Sequence, residues 1–275
     1  MKVNHVWAIY FSGTGTTKTV VRAIAQTIAE QLDAPLKLLD FTSPTMRSLS
    51  YCVPAGDLAM IGTPVIAGRV PNVLLPFLNK QVRGEPGAMA VPVVLYGNRN
   101  YDDALMELRE ILEADGFRTV AGAAFIGEHS FSRTLAAGRP DARDMEQVRT
   151  FAAAVADKVD GLTELPAEPI PVKGELPLRP YYTPRDRHGN HINILKVTPK
   201  TRDTCIQCGR CAVLCPMGSI RADDVTRVDG ICIKCCACVK GCPVGAKYYD
   251  DPGYLYHQHE LEALYARRAE PEWFL

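Results

Sequence analysis

The sequence predicts an α/β protein: a doubly wound, five-stranded parallel sheet over residues 1–160, followed by a small α+β domain over residues 201–253. Three observations predict this. Before residue 160, five apolar runs of strand length alternate with stretches of helical periodicity, the pattern of parallel strands covered on both faces by crossover helices. Residues 161–200 carry seven prolines and no sustained periodicity, which makes them a stiff spacer laid along surfaces rather than a floppy tether. After the spacer the chain repeats itself: CIQCGRCAVLCP from Cys205 returns 27 positions later as CIKCCACVKGCP from Cys232.

The expected strands are residues 3–11, 36–41, 57–63, 91–96 and 119–126, and the expected helices are 20–32, 73–80, 104–116 and 143–159. The first eleven residues have the look of a short signal peptide. They read as a strand because the run leads straight into a polar Gly/Thr loop with no cleavage-type sequence. Residues 254–275 form an amphipathic helix and a tail in which Trp273 and Phe274 pack on one of the domains. His257 and His259 are expected at the surface, and Cys52 as an inert buried thiol in a loop.

Composition excludes several classes. The 275 residues suggest about two domains, with 47% hydrophobic and 23% charged content and zero net charge. Of the 31 basic and 31 acidic residues, 15 and 12 lie after Ile170, so the two halves carry about −3 and +3. That asymmetry is too small to argue for nucleic acid or an anionic membrane. No apolar stretch reaches the ~18 residues of a membrane span.

The repeat carries the most specific chemistry. Each copy sets three cysteines two residues apart and a fourth three residues later, followed at once by proline. This is the bacterial run that holds [4Fe–4S] clusters, in which the fourth thiolate serves the other cluster. Gly209, Ala212, Gly218, Ala237, Gly241 and Gly245 let the main chain approach the sulfurs, and Pro216 and Pro243 turn the chain away after the fourth cysteine. One cluster is therefore assigned to Cys205, Cys208, Cys211 and Cys242, and the other to Cys232, Cys235, Cys238 and Cys215. Zinc modules usually present two separated pairs of ligands, and a disulfide framework needs an oxidising compartment. Neither suits this run, and protected thiolates imply a reducing cytoplasm. Cys236 fits no ligand position and stands where the first copy has Gly209, so it reads as a packed thiol.

The first strand leads into SGTGTTK, residues 12–18, and then a helix. A helix N-terminus has unpaired N–H groups and a favourable dipole, and therefore suits an anion. The loop lacks the Gly-Lys-Ser/Thr of a P-loop, and Lys18 takes the place of the third glycine of a dinucleotide fingerprint. Ser12, Gly13, Thr14, Gly15, Thr16 and Thr17 offer neutral donors suited to one phosphomonoester.

With the two later loops at the carboxyl ends of strands, residues 3–160 resemble the flavodoxin family. The whole chain resembles the family that fuses a flavodoxin-like domain to a bacterial-type two-cluster ferredoxin domain. The resemblance implies FMN, with its phosphate on residues 12–17. Pro64, Val65, Ile66 and Ala67 would lie by one face of the flavin ring and Tyr101 would stack on the other. Gly97, Asn98, Arg99 and Asp102 would lie near its edge. The middle loop lacks the usual aromatic, which leaves one face to aliphatic side chains or open to a redox partner. Residues 127–142 form a long connection at the same edge, over the cofactor or against the cluster domain, with His129 or Arg133 facing the gap. Asp102 and Asp103, if close, would lower the flavin potential.

The function implied is electron transfer between FMN and two [4Fe–4S] clusters, with a redox partner protein or a small-molecule electron acceptor. The alternative is an FMN-dependent reductase with its own substrate, for which Tyr101 and His129 are the only candidate catalytic groups. No nicotinamide fingerprint is visible.

Overall fold

The computed structural model describes residues 2–275. In chain order its elements are β1 (Val6–Tyr10), α1 (Thr16–Gln31), β2 (Leu36–Asp40), β3 (Tyr51–Val53), β4 (Leu58–Pro64), α2 (Leu75–Gln81), β5 (Val82–Gly84), β6 (Met89–Tyr96), α3 (Ala104–Ala114), β7 (Arg118–Thr119) and β8 (Gly122–Ile126). Then come α4 (Ala142–Asp160), β9 (Lys200–Thr201), α5 (Arg210–Val213), α6 (Ala237–Lys240), β10 (Lys247–Tyr248), α7 (Pro252–Leu264) and β11 (Glu272–Phe274). The main sheet runs β2-β1-β4-β6-β8-β11, with β7 beside the start of β6. Its first five strands are parallel and lie in the 2-1-3-4-5 order of flavodoxin-like sheets.

Burial explains the pattern. Every residue of β6 and β8 is buried, because helices cover both faces. On one face α1 and α4 pack Val20, Ile24, Ile28, Val148, Phe151 and Val155 against Ala8, Met60 and Val93. On the other, α2 and α3 pack Phe77, Leu78, Leu105 and Leu108 against Ile9, Ile61 and Val94. Helix α4 opens with a reciprocal cap: the Asp141 carboxylate accepts from Asp144 N at 3.0 Å, and the Asp144 carboxylate accepts from Asp141 N at 2.9 Å. Among the described residues no helix is long and apolar enough to cross a membrane.

Three features depart from expectation. The tail adds a sixth main strand: β11 pairs antiparallel with β8 and covers the open edge of the sheet. Cys52 is exposed, on the short β3 that pairs with β5 outside the main sheet. His257 is 4% exposed, because Phe131 and Tyr182 pack against its ring.

The spacer is anchored along its length. Ile170 and Val172 join the core. Asp103, fully buried, accepts from Glu175 N at 3.0 Å, Arg179 N at 2.8 Å and the Arg179 guanidinium. Tyr182 N donates to Ala67 O at 2.8 Å. Each anchor replaces water on a polar group that would otherwise be stranded.

One buried carboxyl sets a pH dependence. Asp115 is 5% exposed, one of its oxygens has no partner among the described residues, and burial outweighs Arg83 to raise its pKa to about 6. A pKa raised in the folded state means that the native protein binds the proton more tightly, so stability falls as pH rises from the unfolded value of about 4 to about 6. Asp115→Asn is therefore expected to be more stable than the parent at pH 7.5 by about 1 kcal/mol, with little difference near pH 4.5. Urea midpoints at the two pH values test this, and a less stable variant at pH 7.5 would mean that the Arg83 pair outweighs burial.

Candidate metal centres and phosphate cradle

The two cysteine loops turn in the same way at equivalent places. Gln207 and Lys234, Gly209 and Cys236, and Gly218 and Gly245 all have positive φ, and each pair is 27 residues apart. The short helical turns α5 and α6 direct the buried Cys211 and Cys238 inward. Cys205, Cys208, Cys211 and Cys242 line one small cavity. Cys215, Cys232, Cys235 and Cys238 line a second. Each set thus takes three thiols from one copy and the fourth from the other.

Main-chain N–H groups point at the sulfurs: Gln207 N lies 3.4 Å from Cys205 Sγ, Ser219 N 3.3 Å from Cys215 Sγ and Ala246 N 3.2 Å from Cys242 Sγ. Burial opposes ionisation of Cys242, but the N–H groups around it bring its pKa below the ordinary value. Burial pushes Cys235 up to about 12 and raises Cys238 as well. Such buried thiols become thiolates by giving their protons up to bound metal. Four thiols line each cavity, the number of ligands that a [4Fe–4S] cube takes.

The phosphate cradle lies directly beneath the second set. A Cβ added at Gly13 would stand 3.2 Å from Cys235 Cβ and 3.4 Å from its Sγ, so this loop and the thiol loop are in van der Waals contact. Gly15 caps α1 with φ 96°, a conformation that suits glycine. The Ser12 hydroxyl accepts from Lys18 N at 3.1 Å and keeps its own proton to donate. Thr14 is exposed and Thr17 buried, while Thr16 leans on Gly127. Among the described residues, the N–H groups of residues 13–17 donate to nothing, and the first turn of α1 has no acid. This donor set fits a phosphomonoester.

The model for a 4Fe-4S binding domain matches residues 199–221 of the chain, the first copy of the repeat. The chain therefore joins a flavodoxin-like domain to a 4Fe-4S ferredoxin-type domain. Among solved structures it is similar to an archaeal flavodoxin at 14% identity, covering 56% of this chain and 97% of that one with a TM-score of 0.42. Oxidised flavodoxin 2 from Bacillus cereus gives 16% identity over 56% and 99% of the two chains, with a TM-score of 0.42. An NADH:FMN oxidoreductase in its apo form gives 16% over 61% and 92%, with a TM-score of 0.41. No curated protein sequence matches the chain.

The ring-side loops of the flavodoxin-like domain correct several expectations. Tyr101 is 1% exposed. Its hydroxyl donates to Glu272 Oε2 at 2.9 Å and its ring packs on Tyr96, with Lys173 on its face. The tail strand has drawn it into the core, so it offers no free face for stacking. Burial and then the Glu272 bond raise its pKa, which disqualifies it as an acid or base near neutral pH. Asn98 is also taken up by the tail: its amide donates at 2.6 Å to both Tyr265 O and Arg267 O and accepts from Ala269 N at 3.1 Å. Asp102 pairs with Arg99 and Asp103 with Arg179, so neither stands as the unpaired negative charge expected to lower a flavin potential.

Aromatic cover arrives instead from the spacer and α7. Tyr182 bridges the two ring-side loops, with N–H to Ala67 O and Arg99 over its ring at 4.4 Å, and His257 stacks on it at 5.8 Å. Pro64, Val65, Ile66 and Ala67 are half-buried beside it, as is Gly97. The 127–142 connection does meet the ferredoxin-type domain: Lys240 donates to His129 O at 2.7 Å and pairs with Glu128 at 2.5 Å, and Arg133 donates to Val239 O at 3.3 Å. The His129 side chain packs against Gly97 and accepts from Phe131 N at 3.2 Å. Burial, with Lys240, His257 and Arg99 nearby, lowers its pKa to about 4, so it is neutral at pH 7.

From His129 a chain of ring contacts runs to the second thiol set. Phe131 follows at 5.3 Å, Tyr254 at 4.7 Å and Tyr249 at 4.3 Å, whose hydroxyl lies 3.5 Å from Cys232 Sγ. Sequence reasoning missed Tyr182, Tyr249, Tyr254, Arg47 and Lys240. The available signals were paired tyrosines in a proline-rich spacer and immediately after a cysteine repeat.

Proposed function

We propose that the chain is an electron-transfer protein that holds FMN in the cradle and two [4Fe–4S] clusters in the thiol cavities. The observation that carries this reading is the contact of Cys235 with Gly13, which sets one thiol cavity against the loop suited to a phosphate. When bound, FMN exchanges electrons singly or in pairs and each cluster exchanges one. The chain's part is to hold and space these groups. The N–H groups of residues 13–17 and the hydroxyls of Ser12 and Thr14 would take the phosphate. Val65, Ile66, Ala67 and Tyr182 would cover the ring, and Cys205, Cys208, Cys211, Cys242 and Cys215, Cys232, Cys235, Cys238 would hold the irons.

Spacing is held from both sides. Arg47 donates at 2.5 Å to Pro216 O, the residue after Cys215, while Lys240 grips Glu128 and His129 O. The alternative, a reductase with its own substrate, gains little from its two candidate groups, since Tyr101 is buried and His129 is a weakened base whose Nδ1 already accepts from Phe131 N. Oxygen-sensitive clusters also suit a reducing cytoplasm.

Protein prepared anaerobically is expected to be brown and to release about one FMN, with about eight irons and eight sulfides per chain. Colourless, iron-poor protein, zinc in place of iron, or the absence of flavin would overturn the reading.

A further inference from the structure

The two thiol sets differ in where they sit. The set of Cys215, Cys232, Cys235 and Cys238 faces the flavodoxin-like domain, through Cys235 on Gly13 and Arg47 on Pro216 O. The set of Cys205, Cys208, Cys211 and Cys242 faces outward. Cys208 is exposed, and a Cβ added at Gly209 or Gly245 would meet nothing within 4 Å. Around it stand three exposed aliphatic side chains, Ile206 at 60%, Val213 at 86% and Val244 at 42%. They form a small apolar patch beside a thiol ligand, the kind of surface that marks a contact site.

The patch has a basic rim of two arginines. Of the cations in residues 199–213 and 242–249, which carry these ligands, Lys247 is buried and Lys200 is paired with Asp250, which leaves Arg202 and Arg210 beside one carboxylate, Asp203. Arg202 and Arg210 are exposed, and neither has a carboxylate partner among the described residues. The acids of the adjoining 221–229 segment are already engaged: Asp223 and Asp229 by Arg221, and Asp224 by Thr226.

We propose that this face docks a small, acidic one-electron carrier protein, which makes the Cys205/208/211/242 set the outer centre and the Cys215/232/235/238 set the inner one. The proposal rests on the reading that the thiols hold clusters. The apolar centre excludes water at the point of closest approach, and the arginine rim steers a carrier bearing carboxylates. With the clusters and FMN bound, each encounter would pass one electron from the carrier to the group held by Cys205, Cys208, Cys211 and Cys242, and two encounters would match the pair that FMN can accept.

The test uses the full chain with its cofactors, a reduced bacterial-type ferredoxin as donor, and bleaching of the cluster absorbance in stopped flow at low salt. Val213→Glu and Arg210→Glu are expected to slow reduction by ferredoxin at least tenfold. Reduction by dithionite, iron content and flavin content should stay unchanged. Leu38→Glu, at another exposed apolar position on the flavodoxin-like sheet, should have no effect. Unchanged ferredoxin rates in both patch variants, or an equal loss in Leu38→Glu, would overturn the docking surface while leaving the cofactor reading intact. A colourless parent protein would end both.

Discussion

Replacing Cys211 by alanine is expected to unfold residues 200–250 while the flavodoxin-like domain stays folded. The ferredoxin-type domain has almost no apolar core of its own. Its buried cluster consists of Cys211, Ile220, Val225 and Cys238, with only Ala212, Val228, Val239 and two further thiols packed around it. Burying Ile220 and Val225 contributes about 1.5–3 kcal/mol each. So small a core leaves the cysteine loops, on the proposed reading, dependent on metal–thiolate bonds, as in small domains built around structural metal. Hydrogen exchange should show protection lost from 200 to 250, and kept in β1, β4 and β6. A colourless Cys211→Ala protein that keeps its protection in the cysteine loops would show that the domain holds together without its metal.

That imbalance also explains what could be read in the sequence. The cysteine repeat was legible because the ligand spacing itself dictates the local fold, down to matched positive-φ turns at Gln207 and Lys234. The parallel strands were legible because burial on both faces leaves unbroken apolar runs such as Met89–Tyr96. Tyr101 was misread because nothing near it in sequence announces the tail. Its fate is decided by Glu272, 171 residues away, on a three-residue strand too short to show a period. His257 was placed at the surface because the cysteines already filled both ligand sets, whereas the contacts that bury it come from Phe131 and from Tyr182 in the spacer. Pairings between distant, irregular segments leave no periodic trace, and that is where the ring-side loops acquired their cover.

One buried cation helps to hold the tail, and Arg139→Met is expected to destabilise the flavodoxin-like domain by about 3 kcal/mol. The Arg139 guanidinium gives Nε and Nη2 to the Asp144 carboxylate at 2.8 and 2.5 Å, and Nη1 to Ala269 O at 2.9 Å and Asn98 Oδ1 at 3.3 Å. Both side chains of the pair are about 95% buried. Removing the cation leaves a buried carboxylate short of its main partner and takes away one of the bonds that tie the tail to the 97–99 loop. The loss falls at the low end of the 3–5 kcal/mol typical of broken buried pairs, because Arg268 still reaches Asp144 Oδ1 at 2.9 Å. Urea unfolding measures it. Adding Asp144→Leu should recover at least half of the loss, since a buried pair replaced by apolar groups costs far less than half a pair left behind. A single variant costing under about 1 kcal/mol, or a double variant worse than the single, would show that the tail is held by β11 pairing rather than by this cation.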